Sequence, residues 1–176
     1  MSTVLMIRNH ERPGGRLCRF LPRFQGRESE VRKLSIDNPL HRWLYQDQPP
    51  PTMRTKDAIR AHLAEFVRGE PVDDLDFMKR VEDRRTSPPT FSHGVWAISP
   101  RFKPQFRFFG LFAITGWFVT LNRQSRDALD TDAAWHAEVD RSLEVWAGLF
   151  PGRDPWVRDR LSEYIPSNAE KRDDRW

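Results

Sequence analysis

The sequence predicts an α+β fold: a small three- to four-stranded antiparallel sheet, packed by an N-terminal helical hairpin and one or two C-terminal helices, with an extended N-terminal arm. Three observations carry this. Residues 55–84 repeat apolar side chains at helical spacing. Residues 93–122 are dense in aromatic and β-branched residues and are punctuated by turn signals. Residues 135–150 return to a helical stripe.

Along the chain, Thr3 to Ile7 and Arg16 to Leu21 read as short strands, separated by the turn signal Arg12-Pro13-Gly14-Gly15. Asn38-Pro39, followed by Leu40, Trp43 and Leu44, reads as a short helix: asparagine caps, proline fits the first turn, and the apolar residues share one face. Pro49-Pro50-Pro51 ends it and stiffens a connector over 46–54. A helix then starts at the cap Thr55 and stops at Gly69, with Ile59, Leu63, Phe66 and Val67 on one face. A second is expected over 73–84, capped by Asp73, stapled by Val72 and Phe77, and lined by Leu75, Met78 and Val81.

After the breaker Ser87-Pro88-Pro89-Thr90 the period changes. His93–Ser99, Gln105–Ile114 and Trp117–Asn122 read as a three-stranded antiparallel meander, with Thr115-Gly116 as its tight turn. The helix over 131–149, capped by Asp130 or Thr131, carries Trp135, Val139, Leu143, Trp146 and Phe150 as its stripe. A last helix opens at Asp154-Pro155, turns Val157, Leu161 and Tyr164 inward and ends at Pro166. Residues 167–176 read as a disordered charged tail. The organisation expected is an arm over 1–54, a core over 55–150, a C-terminal helix over 151–166 and the tail.

Composition narrows the function classes. With 7 Trp and 12 Phe among 176 residues, the chain holds too many aromatics for wholesale disorder. The densest apolar run, Phe106 to Leu121, is broken by Arg107, Gly110, Thr115, Gly116 and Thr120, so no membrane span is expected. The N-terminus lacks the cationic start and apolar core of a signal peptide. A single cysteine, Cys18, excludes an internal disulfide framework. These points lead to an expectation of a soluble, cytoplasmic protein. The five histidines are scattered, with no paired ligand spacing and no nucleotide-binding glycine motif, so no metal and no cofactor is expected. Glu138, Asp140, Glu144, Asp159 and Glu163 read as a solvated helix face.

Charge is unevenly placed. The net charge is +4, yet residues 91–126 hold five bases and no acid: Arg101, Lys103, Arg107, Arg123 and Arg126. One reading is a buried sheet that excludes charge; the other is a basic surface for phosphates. Depletion of acids alone favours the second, because burial removes both signs alike. Arg107 is the informative residue, since strict alternation sets it with Phe109, Leu111 and Ala113 on one face of an apolar strand. It either snorkels or pairs with a carboxylate, or it grips a phosphate on an open sheet face.

The order of elements, with Arg107-Phe108-Phe109 leading into the hairpin Phe112 to Leu121 and the basic cluster Asn122-Arg123-Gln124-Ser125-Arg126 after it, resembles the RelE/ParE toxin superfamily and its HigB-like branch. The resemblance covers residues 55–150. It implies a microbial toxin of small α+β fold, many members of which cut mRNA in the ribosomal A site without metal, and it implies RNA or the ribosome, and an antitoxin, as partners. Carried over, Arg107 steadies the scissile phosphate with Arg123 and Lys103 as catalytic cations, and Arg101 and Arg126 bind the RNA backbone. Such members usually supply a histidine, tyrosine or acid near the last strand. Here His93, His136 and Tyr164 are the available substitutes. The alternative is a non-enzymatic phage or mobile-element accessory protein that docks on a protein partner through residues 1–54.

Overall fold

A computed structural model describes residues 2–22, 30–46, 51–72, 77–87, 90–91, 93–100, 102–158 and 160–165. The fold is mixed α+β, built on one six-stranded sheet. Its strands are β1 (Leu17–Arg19), β2 (Lys33–Asp37), β3 (Met78–Arg80), β4 (Val95–Ile98), β5 (Phe106–Ile114) and β6 (Trp117–Ser125), in the spatial order β1-β2-β6-β5-β4-β3. β2 runs parallel to β6; every other neighbouring pair is antiparallel. The helices are α1 (Thr3–His10), α2 (Asn38–Tyr45), α3 (Met53–Arg68), α4 (Asp132–Leu149) and α5 (Leu161–Tyr164). Among the described residues no helix is long and apolar enough to cross a membrane.

Both faces of the sheet are covered. On one, α2, α3 and α5 bury Trp43, Leu44, Ile59, Leu63, Phe66 and Tyr164 against Leu34, Ile36, Phe108, Phe112 and Phe118. On the other, α1 and α4 bury Ile7, Val139, Trp146 and Phe150 against Phe109, Leu111, Trp117, Val119 and Leu121. Strands enclosed on both sides read as nearly unbroken apolar runs, which is why β4 and the first part of β6 are buried at every position.

The expected meander is present as β4, β5 and β6, joined at Thr115-Gly116, and β6 continues to Ser125. α3 ends on Gly69 at φ 85°, the left-handed conformation that glycine adopts without cost. Its cap is Thr52, whose hydroxyl accepts from Thr55 N, rather than Thr55. Thr131 caps α4 by accepting from Ala134 N at 3.2 Å.

Four expectations are corrected. The sheet has six strands of mixed direction, not three or four antiparallel ones. Thr3 to Ile7 is helical: Ser2 caps it, and it lays Ile7 on the sheet. No helical hairpin follows α3, because Met78–Arg80 pairs with β4 as an edge strand. There the free edge of an apolar strand outweighs a short helical periodicity. The C-terminal helix is confined to Leu161–Tyr164, and residues 155–158 are not helical, with Trp156 N donating to Phe112 O at 2.8 Å.

The segment expected as an arm contributes β1 and β2 to the sheet. Trp117 Nε1 donates to Ser35 Oγ at 2.8 Å, and Ser35 Oγ donates to Glu11 Oε1 at 2.5 Å, tying the end of α1 to β2 and β6. Arg32, just before β2, donates to Glu70 O at 2.9 Å and so satisfies carbonyls at the end of α3. The cap Asp73, Pro166 and the tail 167–176 lie outside the described residues.

Candidate nucleic-acid interface

The candidate surface lies where β5 opens and β6 closes, at the end of the hairpin away from its turn. Three rungs define it: Phe106 faces Ser125, Arg107 faces Gln124, and Phe108 faces Arg123. Side chains on facing positions share a side of the sheet. Arg107 therefore lies on the α4 side, with Phe109 and Leu111, and Arg123 lies on the α2 side, with Phe108.

A β-bulge causes this separation. Phe109 pairs with Asn122 while Gly110 pairs with Thr120, so Leu121 is an extra residue in β6. Leu121 packs in the α4-side core, and Asn122 reaches the same side to donate to Glu138 Oε2 at 2.6 Å. Strict alternation from Trp117 sets Arg123 beside Arg107; one inserted residue reverses the phase and sends it to the opposite face.

Arg107 is half-buried and donates from Nη1 to its neighbour's carbonyl, Phe106 O, at 3.1 Å. Among the described residues it makes no ion pair. Burial, and after it the nearby charge of Arg126, pull its guanidinium below the ordinary arginine value. Arg126 opens the 3-10 turn Arg126–Ala128; its backbone N donates to Gln105 O at 2.9 Å and its Nη1 to Leu129 O at 3.0 Å, and its side chain is exposed. Lys103 is exposed in the loop that leads into β5.

The structure thus brings Arg107 and Arg126 together and sets Lys103 at the same end. Arg123 is not among them. Its guanidinium stacks over Trp43 at 4.0 Å and near Phe106 at 5.9 Å, and burial lowers its pKa. Held this way, it closes the end of the α2-side core. Arg101 lies outside the described residues.

Beside Arg126 is a cavity of about 290 Å³ between β3 and the start of α4, lined by Lys79, Arg84, Arg126, Asp130, Trp135 and His136 among others. Sequence reasoning missed it, because Lys79 falls in the expected second helix and Trp135 in the core stripe. Trp135 is only partly buried; it meets Phe109 edge-on at 5.6 Å and donates from Nε1 to Leu129 O at 3.1 Å.

Of the three available substitutes His93, His136 and Tyr164, only His136 lines this cavity, and its Nε2 accepts from Arg84 N at 3.2 Å. Tyr164 is fully buried, donating to Arg158 O and accepting from Arg158 N. His93 Nδ1 accepts from Val95 N at 3.0 Å, and burial depresses its pKa. Glu138, expected on a solvated face, is 3% exposed and ties α4 to β6 through Asn122 and Gln124. Its carboxylate faces donors, which is how a buried charge is accommodated. Among the described residues no group of three or more His, Cys, Asp or Glu is arranged to hold a metal ion.

An ion-pair strap frames the cavity. Arg85 bridges Asp83 at 2.9 Å and Asp140 of α4 at 2.9 Å, and Arg84 bridges Glu82 at 2.8 Å and Asp132 at 3.0 Å. Hydrogen bonds from Arg85 hold the Asp83 carboxyl down to about 2. A carboxylate whose pKa is lower in the folded chain stabilises it fully above the unfolded value near 3.8, and that contribution is lost as pH falls through about 2. Asp83→Asn is therefore expected to lower the thermal midpoint at pH 7, with the gap to wild type closing between pH 4 and 2. Calorimetry across pH checks this; a gap that stays constant down to pH 2 contradicts it.

No family model, curated protein or solved structure matches the chain.

Proposed function

We propose that this protein contacts RNA, free or on the ribosome, in the cytoplasm, through the cationic end of the β5–β6 hairpin, as a RelE-like toxin-type protein. One observation carries the reading. Arg107 and Arg126 lie on one side of the sheet, near enough that one charge depresses the other, and neither has a carboxylate partner among the described residues. Two cations left uncompensated side by side favour a polyanion, whose phosphates replace the missing counter-charge. The acid-free stretch 91–126 supports the same conclusion, because it leaves the hairpin nothing of its own to neutralise them.

Backbone binding is better supported than cleavage. The expected catalytic set of Arg107, Arg123 and Lys103 is divided by the bulge, and His136, the substitute base that lines the neighbouring cavity, already accepts a backbone hydrogen bond. Cleavage is the further-reaching version of the proposal, with Arg107 at the scissile phosphate and His136 as the candidate base. A protein-docking arm over residues 1–54 finds less support, since β1 and β2 are hydrogen-bonded within the sheet and Ile7, Leu17, Leu34 and Ile36 are buried. An antitoxin partner is compatible with RNA contact and is part of the toxin-type reading.

Titration of a fluorescent single-stranded oligoribonucleotide at several salt concentrations tests the reading. Log affinity is expected to fall linearly with log salt, by about 0.7 for each phosphate engaged. Loss of the intact RNA on incubation, abolished by Arg107→Ala, adds cleavage. Affinity indifferent to salt, or no binding at low salt, rejects the proposal.

A further inference from the structure

The cavity between β3 and α4 has a composition that backbone contact alone does not require. Leu129 O accepts from Arg126 Nη1 at 3.0 Å and from Trp135 Nε1 at 3.1 Å. One carbonyl therefore fixes a guanidinium and an indole in a set relation. Arg84, Glu82 and Asp132 satisfy one another on the rim. Lys79 and Asp130 also line the space, and neither has an ion-pair partner among the described residues. A flat aromatic surface, two cations and a free carboxylate suit a ligand that combines an anion, a ring and hydrogen-bond donors.

We propose that this cavity takes one nucleotide unit of single-stranded RNA, its phosphate held by Arg126 and Lys79, its base laid against Trp135, and a base amino group donating to Asp130. The proposal rests on the reading of the hairpin end as an RNA contact, which it deepens by supplying a base subsite. A space of about 290 Å³ lies near the lower end of the range for small-ligand pockets and matches a single nucleotide rather than a duplex. Stacking on an aromatic ring tolerates any base, because every base has a π-face. The carboxylate adds a preference for bases with an exocyclic amino group, accepting from cytosine, adenine or guanine, whereas uracil presents it only the ring N3–H. Arg126 keeps donors free after its bond to Leu129 O, since a guanidinium has five.

Isothermal titration of the full chain with a five-nucleotide RNA, with cytidine and uridine monophosphates, and with inorganic phosphate tests the site. Trp135→Ala is expected to weaken the pentanucleotide about tenfold, with Trp135→Phe recovering most of that. Lys79→Ala, at an exposed position, is expected to lower the salt slope by about 0.7. Cytidine monophosphate is expected to bind more tightly than uridine monophosphate, and Asp130→Ala, which removes the acceptor, to erase the difference. If RNA binds and none of these variants changes it, the base subsite is wrong and the RNA contact stands. If monophosphates bind with the stated variant effects but RNA does not, the RNA reading is wrong and the site stands. Inorganic phosphate binding as tightly as either nucleotide overturns base recognition.

Discussion

Gly110→Ala is expected to cost about 3 kcal/mol of stability or to prevent folding. Gly110 opposes Thr120 in the centre of the sheet, next to the bulge. A Cβ built there overlaps the Val119 carbonyl and lies 2.7 Å from Cζ of Phe118. The carbonyl belongs to the neighbouring strand, so it cannot turn aside as a flexible side chain does. Relief requires β5 and β6 to part, and their separation disturbs both cores, because Phe109 and Leu111 face α4 while Phe108 and Phe112 face α2 and α3. Ordinary overpacking costs roughly 1–3 kcal/mol, and a rigid backbone obstacle belongs at the upper end. Urea unfolding followed by tryptophan fluorescence measures it. A loss under about 1 kcal/mol means that the two strands are not as close at this rung as described.

The second large effect is on RNA affinity. Removing Arg107 and Arg126 together is expected to weaken single-stranded RNA binding on the order of 100-fold, from two charge-assisted contacts at roughly 1.5 kcal/mol each. The salt slope is expected to fall by about 1.4, the contribution of two phosphates on a single strand. Arg123→Ala separates this from a general loss of charge. Its guanidinium is spent on Trp43, so it is expected to lower stability by about 1 kcal/mol and to leave the salt slope in place. Filter binding at four salt concentrations measures all three. If Arg123→Ala and the double variant lose equal affinity, only net charge matters and the paired site is wrong.

Much of the fold was legible because its signals are local. α3 and α4 repeat apolar residues at helical spacing beside a threonine and a glycine in capping positions. β5 and β6 are aromatic runs joined by the tight turn Thr115-Gly116. What was not legible is non-local. β2 is the short stretch KLSID, and only its parallel pairing with β6, more than 80 residues away, makes it a strand. β3 keeps Met78 and Val81 at a spacing that suits a helix as well, and the exposed edge of β4 decides. α1 opens on the contiguous apolar and β-branched run Thr3 to Ile7, which suits a strand as well, and owes its form to Ser2 and to the burial of Ile7.

The site was half legible for the same reason. Arg107 and Arg126 stood out as bases within an acid-free stretch, and the structure puts both at the same end of the β5–β6 hairpin, within electrostatic reach of each other. The separation of Arg123 depends on a bulge at Leu121, which has no mark in a run of Val119, Thr120 and Leu121. Trp135 kept helical phase with Val139 and so read as core, yet it sits in the first turn of α4, where the core gives way to the cavity.

Arginine side-chain NMR on the intact chain, with Nε resonances assigned by substitution and followed during titration with single-stranded RNA, addresses the central claim most directly. The paired-cation account predicts that Arg107 and Arg126 shift together and saturate at one RNA concentration, while Arg123 stays in place over Trp43. Movement of Arg123 with Arg107 and Arg126 unchanged, or no movement of any of the three at low salt, contradicts it.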